Sequence, residues 1–206
     1  MRGNWSTLKK LIWQRGALGS GGLPPGYRRL AGIEFNASTI FVVEDFKLRG
    51  SDTVRINFSV DKACNVFGCY TTASAENNYS LYASTTSGGK YMRYNGGTYK
   101  SYLPSSSFGE RFDVVITPTG ISGFYEDDTW DSKTFTASAD LVIGSTATVT
   151  SSSKLDGIIY DDIIVDRRLH LVPVEDDYFG DVGYYDLVSK QLILPTTGTP
   201  IPIYKE

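Results

Sequence analysis

One histidine, two cysteines and a tyrosine-rich middle carry most of the chemical character of this 206-residue sequence. A nucleophilic triad needs an imidazole to move a proton, so any such site must use His170. Its neighbours Leu169, Leu171 and Val172 read as a strand, and a structural histidine is the better reading. Cys64 and Cys69 stand in Cys-Asn-Val-Phe-Gly-Cys, where strand alternation puts them on opposite faces and argues against a disulfide. Two thiols and one His cannot supply four zinc ligands, so the cysteines read as small buried hydrophobes. Tyr91, Arg93, Tyr94, Tyr99 and Tyr102 surround Asn95-Gly96-Gly97-Thr98, which has the residue types of a hairpin turn. Sugars stack on aromatic rings and hydrogen-bond through Arg, Asn and Tyr groups. Tyr91, Arg93, Tyr94 and Tyr99, with Trp130 as a further platform, are therefore the candidate glycan-binding set. The competing reading is that alternate tyrosines pack across strands and Trp130 covers a sandwich edge.

The elements that must position these residues are mostly short strands. From Leu30 onward the apolar period is two, clearest in Asp52–Val60, where Val54, Ile56, Phe58 and Val60 share a face. Residues 111–125 read as strand, tight turn and strand. Further strands are expected at Ile40–Phe46, Val66–Thr71, Tyr79–Ala83, Lys90–Tyr94, Tyr99–Leu103, Leu141–Gly144, Gly157–Val165, Val182–Leu187 and Gln191–Leu194. About a dozen short strands separated by regular turn signals predict an all-β, two-sheet antiparallel β-sandwich. Only residues 5–15 have helical spacing, with Trp5, Leu8, Leu11 and Ile12 on one stripe. A helix of barely three turns is marginal alone and needs a partner surface. Gly16–Gly26 reads as a flexible hinge stiffened by Pro24-Pro25. The expected division is a docking arm at 1–22 and a sandwich domain at 23–206.

Charge divides along the same line. Residues 1–30 hold six basic residues and no acid, while the whole chain is −3, leaving −9 on residues 31–206. A basic head on an acidic body predicts that the head meets something. The body's acidity would repel phosphate, and no zinc finger or P-loop accompanies the head, so nucleic acid is not an expected partner. No apolar run reaches signal-peptide or membrane-spanning length, so neither export nor a membrane is expected.

Two phrases add a setting. The opening one is Leu23-Pro-Pro-Gly-Tyr27 leading to Ile33-Glu34. The closing one is His170-Leu-Val-Pro173-Val, an acidic loop, Gly183-Tyr-Tyr-Asp186 and Thr197-Gly198-Thr199. Together they resemble the concanavalin A-like (laminin-G-like) β-sandwich modules, with a jelly-roll fold, of phage and prophage virion proteins from gut bacteria. The resemblance implies a non-enzymatic virion structural or accessory protein: a head fibre, decoration or tail subunit made in the host cytoplasm. Residues 1–22 would dock it on other virion proteins through Trp5, Leu8, Leu11, Ile12 and Trp13, and it would work as an oligomer within the particle. A carbohydrate-binding module touching host surface polysaccharide is the alternative.

Some relatives of that fold are glycoside hydrolases, with two Glu on one strand in Glu-x-Asp-x-Glu or Glu-x-Asp-x-x-Glu. No acid cluster here has that spacing, so the acids read as solvated loop residues, and no catalytic site, cofactor or metal is expected. Asp156, Asp161 and Asp162 are the acids that would serve if such a module held calcium.

Overall fold

The computed structural model describes residues 22–69, 77–83, 90–94, 97–101, 108–123, 127–145 and 154–205. Among them there is no helix; the elements are strands β1 (Tyr27–Arg29), β2 (Gly32–Asn36), β3 (Phe41–Val43), β4 (Val54–Val60), β5 (Cys64–Cys69), β6 (Tyr79–Ala83), β7 (Lys90–Tyr94), β8 (Gly97–Ser101), β9 (Phe112–Thr117), β10 (Gly120–Ser122), β11 (Asp128–Thr129), β12 (Leu141–Ile143), β13 (Asp156–Val165), β14 (Leu169–Asp176), β15 (Val182–Asp186), β16 (Gln191–Ile193) and β17 (Ile201–Ile203). All described pairings are antiparallel and make two sheets. The smaller runs β3-β12-β5-β6-β7-β8. The larger runs β11-β10-β9-β4-β13-β14-β15-β16, with β2 also on β13, β17 on β2 and β1 on β14. The expected sandwich is therefore present, while the helix expected at residues 5–15 lies outside the described residues.

Alternation builds the core. In β4, Val54, Ile56, Phe58 and Val60 are buried while Arg55 is exposed, and β9 repeats this with Phe112, Val114 and Ile116 inside and Asp113 outside. Aromatic rings fill the space between the sheets, with Phe41 against Tyr184 and Tyr94 against Phe135, both at 5.0 Å between centroids. In β5 the register passes from Asn65↔Tyr82 to Phe67↔Leu81, leaving Val66 as an extra bulged residue. The bulge corrects the expectation for the cysteines. Cys64 and Cys69 both enter the main core, against Ala83 and Tyr79, as free thiols. Burial pushes them up to about 11 and about 12, respectively, so both are inert hydrophobes at neutral pH.

The large sheet forks at β13. Its first half pairs β2 (Asp156↔Asn36 to Tyr160↔Gly32) and its second half pairs β14 (Ile163↔Leu171 to Val165↔Leu169). β14 then passes to β1, with Tyr27↔Asp176 and Arg29↔Val174. Pro173 sits where that edge of β14 changes neighbours. It has no N–H to donate, and its carbonyl accepts from Leu30 N at 2.9 Å. Both faces of β14 are buried, which explains its unbroken apolar run. The face away from the main core forms a second cluster of Leu23, Val172, Val174 and Tyr185, joined by Tyr27, Leu187 and Leu192.

That second cluster also holds Leu23, near the first of the described residues. Leu23 is buried, and Gly26, in the left-handed region at φ 89°, turns the chain into β1 while its carbonyl accepts from Asp177 N. Gly22–Gly26, expected as part of a flexible hinge, instead lies fixed against β14 and β15.

Candidate functional site

The fork brings together chemistry that no single segment announces. Between Tyr160↔Asn57 and Ile164↔Arg55, β13 advances four residues while β4 advances two, so Asp161 and Asp162 are both extra. Asp161 adopts φ 50°, a left-handed conformation that Asp tolerates better than most residues. The bulge aims two adjacent carboxylates outward in different directions. Asp161 meets Arg111 at 2.7 Å; Arg111 also donates to Asn57 Oδ1 at 2.8 Å and lies 4.4 Å over the Tyr160 ring. Asp162 receives Arg29 Nη2 on Oδ1 at 2.6 Å and shares a 2.7 Å hydrogen bond with His170 Nε2 on Oδ2.

One carboxylate of β13 thus holds a side chain from β14 and one from β1, the strand that β14 takes as neighbour beyond the fork. The His–Asp contact looks like half of a proton-relay site. Yet both oxygens of Asp162 have partners, and the backbone N–H of His170 is bound to Asp186 Oδ1 at 3.0 Å. This arrangement braces three strands. Sequence reasoning placed His170 in a strand and named Asp162 only as a possible calcium ligand, and it missed Arg29 and Arg111 and the pairing of Asp162 with Arg29 and His170. The signal that points to them is Asp161-Asp162 interrupting the apolar alternation of Ile158–Val165, since adjacent acids in a strand require a bulge to leave it together.

Asp156, Asp161 and Asp162 do not converge as a cation site would need. Each faces its own cation: Lys62 at 2.6 Å, Arg111, and Arg29 with His170. Among the described residues, no group of three or more His, Cys, Asp or Glu could hold a metal ion.

The glycan-binding expectation needs correction at Tyr94 and Trp130. Tyr94 is 1% exposed and Trp130 7%, packed 5.4 Å apart in the main core. The Tyr94 hydroxyl donates to Gly50 O at 2.6 Å, and Trp130 Nε1 donates to Pro118 O at 3.1 Å. Neither ring is available to a sugar. Tyr91 and Arg93 lie in β7 and Tyr99 in β8, with Met92 and Tyr99 as cross-strand partners. Trp5, Leu8, Leu11, Ile12 and Trp13 lie outside the described residues.

Asp176, expected to be solvated in a loop, and Asp186, in the expected strand Val182–Leu187, both organise turns. Asp176 and Asp186 are each 2% exposed and open the two successive hairpin loops after β14 and β15. Asp176 Oδ1 accepts from Tyr178 N and Phe179 N; Asp186 accepts from Val188 N, Ser189 N and His170 N. The fifth residue of each loop, Gly180 or Lys190, is left-handed at φ 69° or 62° and bonds back to the Asp carbonyl.

Burial of Asp186 favours its neutral form, but the donors at Ser189, His170 and Val188 outweigh it and hold the carboxyl below its usual 3.8. A depressed folded-state pKa gives stability that is full above that ordinary value and is lost as pH falls through the lower one. Asp186→Asn is therefore expected to cost about 1–2 kcal/mol at pH 7. The deficit should shrink towards zero well below pH 3.8 in urea titrations of both proteins. An equal deficit at both pH values would show that the charge is not what the turn needs.

The fold also contains a cleft of about 500 Å³ between β3 and β16, the terminal strands of the two sheets. Glu44, Asp45, Arg168, Ser189, Gln191 and Thr196 are among its lining residues. The Ile40↔Thr197 bridge joins the two edges near the start of β3. The protein is thus a two-sheet β-sandwich with a braced fork and one cleft between sheet edges. Neither a family model nor a curated protein matches the chain.

Proposed function

We propose that this protein is a non-enzymatic structural or accessory subunit of a phage particle, such as a head fibre, decoration or tail subunit. Residues 1–22 dock it and the sandwich is displayed. The observation that carries the reading is that the two phrases behind the virion resemblance are one structural unit. The opening phrase supplies β1 and β2; β1 pairs with β14 of the closing phrase, and β2 pairs with β13 and β17. The acids and the histidine of that unit brace strands and turns, which supports a displayed scaffold over a hydrolase. The docking half is tested in the full chain with Trp5→Asp and Trp13→Asp together, because buried aromatic anchors dominate such interfaces. Incorporation into particles is expected to fall at least about tenfold, the loss of roughly one hot-spot contact. Unchanged incorporation would remove the docking role.

A further inference from the structure

The large apolar side chains exposed among the described residues all follow β14 in the chain: Tyr178, Phe179, Val188, Leu194, Ile201 and Tyr204. Tyr178 and Phe179 stand out at 73% and 57% exposure. They lie in the β14–β15 loop, whose sequence Asp176-Asp177-Tyr178-Phe179-Gly180-Asp181 holds three acids and no base. The loop backbone is fixed. Asp176 Oδ1 accepts from the N–H groups of both ring residues, Asp176 N donates to Asp181 O at 2.9 Å, and Asp177 N donates to Gly26 O at 2.9 Å. The rings are thus presented on a preorganised loop, and a partner that meets them orders little backbone.

A groove of about 320 Å³ runs beside this loop. Gly180, Asp181 and Val182 line it from the loop side, and Leu194, Pro195 and Pro200 from the segment between β16 and β17. That segment is pinned as well. Thr196 N donates to Ile40 O at 2.8 Å and Thr197 Oγ1 to Ser38 O at 2.9 Å. Gly198, left-handed at φ 74°, lies so close to Ser38 and Thr39 that a Cβ there would meet their backbone at 2.6 Å. Both sides of the groove are therefore preformed. Asp181 is the one acid among its lining residues, and the rest of the lining is largely apolar. Such a groove suits a long side chain with an aliphatic stem and a cationic end.

The chain itself shows which cation suits a ring beside an acid. Arg28 pairs with Glu175 and lies 4.6 Å from the Tyr204 centroid; Arg111 pairs with Asp161 over Tyr160 at 4.4 Å, and Arg168 with Asp52 over Phe46 at 4.7 Å. A guanidinium stacks on the ring and hydrogen-bonds the carboxylate at once. The net negative charge of residues 31–206 also favours a basic partner over a second copy of the body or an anionic lipid surface. We infer that the β14–β15 loop and this groove form a docking surface for a basic segment of another protein. One arginine of that segment enters the groove, its stem against Leu194 and Pro195 and its guanidinium towards Asp181, while Tyr178 and Phe179 cover neighbouring side chains. The surface is separate from residues 1–22 and does not depend on their docking role.

The full chain is titrated with a short peptide alternating Gly and Arg and followed by its amide resonances. Saturable binding is expected, with the largest shifts at Tyr178, Phe179, Gly180 and Leu194. The same peptide with Lys in place of Arg should bind at least about threefold more weakly, because an ammonium has no plane to stack. Tyr178→Ser with Phe179→Ser leaves the Asp176 turn intact and should weaken binding at least about tenfold. Asp181→Asn should weaken it about fivefold. Leu194→Lys, on the other side of the groove, sets a cation beside the site without touching the loop and should give a similar loss. Unmoved Tyr94 and Trp130 amides report that the core of each variant is intact. Equal binding by all the variants would overturn the proposal, as would shifts spread over other acidic surfaces with the loop unmoved. If maltohexaose or phosphatidylcholine vesicles move the loop amides and the arginine peptide does not, the surface belongs to a sugar or a lipid and the proposal falls. Residues 1–22 are unchanged in every variant, so failure here leaves the docking role untouched.

Discussion

Tyr94→Ala is expected to destabilise the protein by about 4 kcal/mol, the range for deleting a large buried ring. The ring packs against Trp130, Phe135 and Tyr79 in the main core. Its hydroxyl ties three separate segments: it donates to Gly50 O, lies 3.2 Å from Pro118 O, and accepts from Lys133 N at 3.2 Å. Tyr94→Phe isolates the polar part and should cost about 1–2 kcal/mol, because Gly50 O and Lys133 N lose a buried partner. For a domain of this size the alanine variant should lower Tm by roughly 10–15 °C. Calorimetry on the three proteins measures both steps. A Tyr94→Ala protein within about 1 kcal/mol of the parent would mean that the ring is not the core element described.

Arg168→Met is the second large effect. Arg168 lies in the β13–β14 turn and pairs with Asp52, which is 2% exposed. It also donates to Lys47 O at 3.0 Å, and its guanidinium lies 4.7 Å over the Phe46 ring. Asp52 itself receives Arg49 N at 2.7 Å. Together they pin the 44–53 connection, which carries the chain from β3 of one sheet to β4 of the other. Removing the arginine leaves a buried carboxylate with one donor, expected to cost about 3 kcal/mol. Asp52→Asn with Arg168→Met should recover at least about 1 kcal/mol of that loss, because the orphaned charge goes with its partner. Strict additivity of the two substitutions in chemical denaturation would show that they do not interact.

The sheet architecture was legible because alternation is local. Tyr79–Ala83 and Lys90–Tyr94 fall where the pattern puts them, and β4 shows the expected inward set. β14 was harder to delimit, because burial on both faces erases the period that marks a strand. The cysteines were assigned opposite faces because one bulged residue, Val66, inverts the pattern and leaves no mark of its own in the sequence. Tyr94 and Trp130 show a different limit: aromatic residues suit a core and a sugar platform equally, and only the packing of the sheets decides between them. Asp176 looked like a solvent-facing acid, and the turn role of Asp186 left no mark, because the donors that hold them are backbone N–H groups, which every sequence contains. Arg29, Asp162 and His170 come from three strands far apart in the chain, so no local motif could join them.

The fork at β13 also constrains the order of assembly. β13 through β16 are consecutive neighbours joined by short turns, so this meander closes only short loops. β1 and β2 have no such local partner. Their described pairings are all with residues 156–160, 174–176 and 201–203, at separations above one hundred residues. A nascent chain halted anywhere before residue 156 therefore carries its first two strands with nothing to pair with. The first two described strands are thus made well before their partners and are among the last to find their places in the sheet.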